Sequence, residues 1–353
     1  MYSLGLVVNQ NILRIQLVRK LWVHLTPKET YGLSSPDKIQ RLGQSLGDVR
    51  RKELSNLIAL ERQLNEVRRG YSTIDSAGKL VPTAQTKDIQ GVKFSSFIES
   101  SEPRHIHKES LPSIAKMLAN AVEVSQFDAL ERLLRLQKLY LLTERIILSS
   151  DIGEIEKNPL DRRWFDRWKL SACEVSNGGL QQLWARVLLE ELKRPNSSSL
   201  WALSHLSSFN VEDAENLNKI ASLCCGDFIY RGALQALTSH YEPELFEQLE
   251  ERSILRGVYG KVLTKTLTTS ASDGYLYNLE VADKVLAISP SQPRAELHLP
   301  AYPLTSVGKE LVSLVSCQAD PVYVERIVED LQTRGMNVEV SDDHSNLDKI
   351  NRV

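Results

Sequence analysis

Leucines recur at three- and four-residue spacing along most of the chain and give way to alternation in its last third. Ser34-Ser35-Pro36-Asp37 predicts the first clear helix start. Ser35 suits the cap, Pro36 the first helical position and Asp37 the positive end of the helix dipole. Ile39, Leu42, Leu46 and Val49 form one stripe behind it. Leu57, Leu60, Leu64 and Val67 form a second, offset by about half a heptad, so a stutter or break separates the two. Gly43 and Gly47 weaken the first part. The expectation is a long helix or helical hairpin ending near Gly70. From 70 to 112 the periodicity vanishes among Gly, Ser, Thr, Pro and Lys. This reads as a flexible linker with short extended pieces at 79–81 and 92–98. A further helix covers 111–148, and the apolar face of its second half is too broad for a surface helix.

The strongest local pattern follows. Trp164, Phe165, Trp168, Ala172 and Val175 lie on one helical face. Ser176 breaks and caps there, and Leu180, Leu183, Trp184, Val187 and Leu188 form the next stripe. Pro195 ends that helix. Ser197 to Ser199 can cap another, holding Leu200, Leu203 and Leu206. Asn210, with Asp213 three residues on, starts a fourth. Four helices with connections this short predict a compact bundle, with Trp164, Trp168 and Trp184 as core rather than a cofactor box. Glu191 is the odd residue, because its spacing places a carboxylate on the apolar face. A buried carboxylate needs hydrogen bonds. The free N–H groups after Pro195 are its nearest donors, so it reads as tying down that turn rather than as a catalytic acid.

After 225 the rhythm changes. Helical patterns at 230–237 and 243–252 precede alternating runs at 262–268, 275–281, 285–288 and 296–304. A helix opens at Thr305, another covers 321–334, and a strand covers 336–340. The expected class is mainly α, a helical bundle followed by a small α+β winged-helix-like module. The expected domains are a basic helical region at 1–70, a linker at 71–112, a bundle core at 113–225, the module at 226–340 and a disordered tail at 341–353.

Composition adds little chemistry. The 353 residues carry 43 Lys and Arg against 45 Asp and Glu, with 42% hydrophobic residues, which excludes a wholly disordered or collagenous chain. Charge is uneven, however: residues 1–70 hold 12 basic and 6 acidic residues, so any nucleic-acid contact is expected there. The helix at 242–252 carries Glu242, Glu244, Glu247, Glu250 and Glu251 against Arg252, which speaks against phosphate contact by the module. Cys173, Cys224, Cys225 and Cys317 form no C-x-x-C pair and read as buried reduced thiols, in keeping with a reducing cytoplasm. No apolar run reaches about 18 residues. The stretch 12–25, with Arg14, Arg19 and Lys20, is expected to pack on the body, the alternative being a short interfacial membrane helix. No phosphate loop, G-x-G-x-x-G, G-x-S-x-G or H-E-x-x-H occurs. Gly257-Val-Tyr-Gly260-Lys261 has the wrong spacing, Ser113 and Lys116 fit only the common S-x-x-K pattern, and His105 and His107 form an isolated H-x-H pair. No cofactor and no metal is therefore expected.

Several segments resemble a known family. Val175-Ser-Asn-Gly-Gly-Leu-Gln-Gln-Leu-Trp-Ala-Arg-Val-Leu-Leu-Glu-Glu-Leu-Lys-Arg-Pro195 is the specific one. Asp161-Arg-Arg-Trp164, Arg135-Leu-Gln-Lys-Leu139, the entry at Tyr31 to Leu42 and Tyr302-Pro-Leu-Thr-Ser-Val-Gly-Lys-Glu-Leu311 add to it. Together they resemble a bacterial family of uncharacterised helical proteins related to the Abi-alpha abortive-infection group. Asn177-Gly178-Gly179 departs from the family's acidic first turn, which removes the capping-box acid. The resemblance implies a cytoplasmic bacterial protein linked to phage defence, and it carries over no catalytic residue. The functional expectation is a non-enzymatic helical interaction protein, a sensor or effector whose partner is a protein. A DNA-binding regulator using the winged-helix-like module and an enzyme without a recognisable motif are the alternatives.

Overall fold

The computed structural model describes residues 2–74, 80–82, 114–234, 237, 241, 243–260, 262–268, 276–290, 296–315 and 317–342. His105 and His107, most of the 71–112 segment and residues 343–353 of the expected tail lie outside the described residues. The chain divides into two compact units, Met1–Ile152 and Gly153–Val353.

The first unit holds helices α1 (Tyr2–Val23), α2 (Pro36–Arg41) and α3 (Leu46–Arg68), a two-stranded antiparallel ribbon of β1 (Ser72–Ile74) and β2 (Leu80–Pro82), and the 36-residue helix α4 (Ile114–Ser149). Ser35 caps α2 by accepting from Lys38 N. The stutter in the hydrophobic pattern is a real break. Residues 42–45 separate α2 from α3, with Gly43 at φ +63°, a conformation that favours glycine. Leu57 and Leu64 of α3 pack on Leu134 and Leu141 of α4. Leu17, Val18 and Leu21 bury one side of α1, while Ile12 and Ile15 remain half exposed. Among the described residues, no helix is long and apolar enough to cross a membrane.

A buried ion network runs through this unit. The Arg50 Nε donates to Glu144 Oε1 at 2.9 Å, and Nη1 donates to Ser34 O at 2.8 Å and to Glu53 Oε2. Trp22 Nε1 donates to Glu144 Oε2 at 2.8 Å, and its ring lies 4.7 Å from the Arg50 guanidinium carbon. Ser34 N closes the circuit on Glu53 Oε1. Removing one member would strand the charges of the others away from water, so the network acts as a unit.

The second unit begins with α5 (Arg162–Ala172), α6 (Gly178–Lys193), α7 (Leu200–Leu206) and α8 (Val211–Ala221). A reciprocal capping box starts α8: Asp213 N donates to Asn210 Oδ1 and Asn210 N to Asp213 Oδ2. Then come β3 (Cys224–Cys225), β4 (Phe228–Tyr230), α9 (Arg231–Leu234) and α10 (Pro243–Glu251). Strands β5 (Leu263–Thr268), β6 (Tyr277–Val281), β7 (Lys284–Pro290) and β8 (Glu296–Pro303) follow, and α11 (Ser306–Ser313), α12 (Pro321–Thr333) and β9 (Met336–Ser341) close the chain.

This sheet content corrects the expected fold class. Among the described residues 56% are helical and 15% are in strands, and these strands form two antiparallel sheets besides the short ribbon, which makes the fold α+β and not mainly α with a winged-helix-like appendage. The strand order is β3-β4-β8-β5 in one sheet and β6-β7-β9 in the other. The four alternating runs were thus detectable, but their partners were not. β5 and β8 pair with each other and extend onto β4, which lies just before α9, the helix that falls within the expected 230–237 pattern. The β6–β7 hairpin joins β9 from beyond α12. Tyr323 of α12 helps fix β4 as a strand: its hydroxyl accepts from Tyr230 N at 2.7 Å and donates to Tyr230 O at 3.2 Å. On α10, Glu250 accepts from Gly257 N at 2.6 Å and Tyr259 N at 2.8 Å, so one of its acids ties down the next loop.

All four cysteines are free thiols. Burial pushes the Cys225 thiol up to about 12 and that of Cys224 higher still, while Cys317 is only half-buried. Thiolate is the reactive form. A thiol reagent added to the native protein at pH 8 should therefore modify Cys317 first. Cys224 and Cys225 should react only after denaturant is added, and mass mapping of labelled peptides checks this order.

Candidate functional site

The tryptophan-rich segment builds a rigid platform at the start of the second unit. Asp161 caps α5 by accepting from Arg163 N and Trp164 N. Trp164, Phe165, Trp168 and Ala172 are all buried on one face of that helix. The cap of α6 is Asn177, one residue beyond the expected Ser176. Its Oδ1 accepts from Gly179 N at 2.9 Å and Leu180 N at 3.2 Å, so α6 has a capped start without an acidic first turn. Leu183 and Trp184 lie in the core, and Trp168 Nε1 donates to Trp184 O at 3.0 Å.

The turn after α6 is held from three directions. Pro195 is buried and Asn196 takes φ +70°. The fully buried Glu191 accepts from Asn196 N at 2.6 Å through Oε1, and from Ser198 N at 3.0 Å and Ser197 Oγ at 3.2 Å through Oε2. Trp164 Nε1 donates to Ser198 O at 2.7 Å. Glu310 of α11 accepts from Ser199 N at 2.7 Å, and Ser199 Oγ accepts from Ala202 N to cap α7. Both Glu191 oxygens are occupied by the turn, which makes this carboxylate an anchor for α7. The approach of α11 depends in turn on Gly308, because a Cβ there would stand 2.2 Å from Ile254 O.

What the anchored turn positions is an outward face. Ala202, Leu203 and Leu206 of α7 point inward, while Trp201 is 67% exposed and meets His205 edge-on at 5.3 Å. On the neighbouring α5, Leu170 is 65% exposed. Leu170 and Leu200 line an open depression of about 840 Å³ whose rim includes Arg162, Arg163, Asp166 and Arg167. Asp166 is engaged by Lys169 and Arg162 at 3.1 and 3.4 Å, and the Lys169 hydrogen bond holds its carboxyl below the usual range. Arg163 and Arg167 have no ionic partner among the described residues. The face is thus apolar at its centre and cationic at its edge. Among the described residues no cluster of three or more His, Cys, Asp or Glu side chains is arranged to hold a metal.

Sequence reasoning picked out Trp164, Trp168, Leu183, Trp184, Glu191 and Pro195; all six are buried, and of these Trp164 and Glu191 bond to the turn that follows Pro195. Trp201 and Leu170 were passed over. Trp201 falls off the 200/203/206 stripe and Leu170 off the 164/168/172 face, and that misplacement was the available signal.

Residues 146–268 match the model of a family described as Protein of unknown function (DUF2806). No curated protein and no solved structure matches the chain. The matched segment contains the 175–195 block and the outward face of α5 and α7, and its description does not bear on abortive infection.

Trp184→Ala should cost about 3–5 kcal/mol through the cavity it leaves. Glu191→Ala should cost about 1–3 kcal/mol, because buried amides lose their acceptor, and Glu191→Gln should cost less. Trp201→Ala should stay within about 0.5 kcal/mol of the unaltered chain, as an exposed substitution. Denaturant melts of the four variants give this ranking, and a stable Glu191→Ala protein would contradict the anchoring role.

Proposed function

We propose that this chain is a non-enzymatic interaction protein that docks an acidic, partly apolar protein segment on the face of α5 and α7. The observation that carries this reading is the pairing of exposed Leu170 and Trp201 with the charges of Arg163 and Arg167, which have no ionic partner among the described residues, on helices whose turn is held by the buried Glu191 and by Glu310. Aromatic and Arg side chains supply most of the binding energy at protein interfaces, especially on preorganised surfaces. Charge complementarity selects the acidic partner. The resemblance of the 175–195 block to the Abi-alpha group supports a role as sensor or effector in phage defence, in the cytoplasm of a bacterium. The four free thiols are in keeping with that compartment.

The test combines a phenotype with a defined variant. Bacteria expressing the unaltered chain should plate phage less efficiently than bacteria without it. Trp201→Ala combined with Arg167→Glu should abolish that protection while the purified variant keeps its melting temperature. A protein captured by the unaltered chain from infected cells should be lost with the same variant. Protection that survives in the variant would overturn the docking face, and absence of protection by the unaltered chain would overturn the defence role.

A further inference from the structure

The second unit also carries a counterpart to its cationic face. By accepting from Gly257 N and Tyr259 N, Glu250 pins the loop between α10 and β5. Gly257, at φ +80°, settles against Leu263, where a Cβ would stand 2.6 Å from Leu263 Cδ1. The pinned loop leaves Tyr259 60% and Val262 56% exposed.

The surroundings of that ring are acidic. Tyr259 Oη donates to Glu247 Oε2 at 3.3 Å, and Glu251, one turn further along α10, acts on the same hydroxyl. Glu244 lies one turn earlier on that face. Arg252 is engaged by Asp213 at 3.1 Å, and Arg256 is exposed in the loop. Among the described residues, Glu244, Glu247, Glu250 and Glu251 against Arg256 leave three net negative charges. An exposed aromatic ring among carboxylates suits an arginine, whose guanidinium stacks on the ring and pairs with the acids.

The face of α5 and α7 has the opposite make-up. There Arg162, Arg163, Arg167 and Lys169 against Asp161 and Asp166 leave two net positive charges around an apolar centre. Its open depression is the form that receives an aromatic anchor. Among the described residues, no ion pair joins the two patches within one copy.

We infer that the acidic, partly apolar segment taken up by the α5 and α7 face is the Tyr259 loop, with α10, of a second copy of this chain. The inference rests on the docking-face reading above. Tyr259 meets Leu170 and Trp201, and Glu247 and Glu251 meet Arg163 and Arg167. The two patches differ, so the contact is heterologous and copies join head to tail.

Sedimentation velocity of the full chain at rising concentration tests the contact. The unaltered chain should associate at low salt, and added salt should weaken that association at least tenfold, because the charges at the edge are screened. Arg167→Glu and Tyr259→Ala should each weaken it at least tenfold. Both side chains are exposed, and Tyr259→Ala keeps the backbone donor to Glu250, so both variants should hold their melting temperature. Each variant keeps one intact patch, so an equimolar mixture should recover association, stopped at a one-to-one pair. Glu325→Arg, which reverses an exposed acid on α12, should leave association unchanged. Association that survives either variant, no recovery in the mixture, loss with Glu325→Arg, or a chain that is monomeric at every concentration would each end the assignment. A monomeric chain whose phage protection still disappears with Trp201→Ala combined with Arg167→Glu would end it while leaving the docking face in place, whereas protection that survives that variant strikes the face itself.

Discussion

The second unit depends on a carboxylate placed where water cannot reach it. Glu191 points from the apolar face of α6 into the turn that follows, and its cost of burial is offset by amide donors from Asn196 and Ser198 and the hydroxyl of Ser197. Those amides belong to a segment that lies between helices, because Pro195 ends α6 and α7 has yet to begin. The arrangement is reciprocal: the turn makes the buried charge tolerable, and the charge makes the turn single-valued. Trp164 and Glu310 then fix Ser198 and Ser199, so α7 leaves the turn in one direction. The exposure of Trp201 follows from that direction.

The first unit uses the same physics with a different balance. Its buried guanidinium meets two carboxylates, and Trp22 covers one face of the cluster. Every carboxylate oxygen there has a donor, yet one guanidinium nitrogen has no acceptor. A buried polar network of this kind rigidifies a core, because each member is held by the others.

Local signals in the sequence were legible where the physics was local. The cap at Ser35, the capping box at Asn210 and Asp213, and the tryptophan face of α5 each depend on residues within a few positions of one another. Glu191 was legible for the same reason, since its donors lie five to seven residues away. What escaped notice depends on separation. Glu144 is 94 residues from Arg50 and Glu310 is 111 from Ser199, and no spacing rule connects such pairs. Strand runs were visible by alternation, but alternation does not name a partner. That is why β4 and β9 joined sheets that the pattern had assigned to a wing.

Gly308 has a consequence for modularity. Its bare Cα lets α11 settle against the Ile254 carbonyl, and that contact carries Glu310 to the amide of Ser199. The family match ends at residue 268, forty residues before this glycine. The segment recognisable by sequence therefore shares hydrogen bonds and strand pairs with residues beyond its end. One of its own helix starts is completed from outside it, so the boundary of sequence kinship and the boundary of cooperative structure do not coincide.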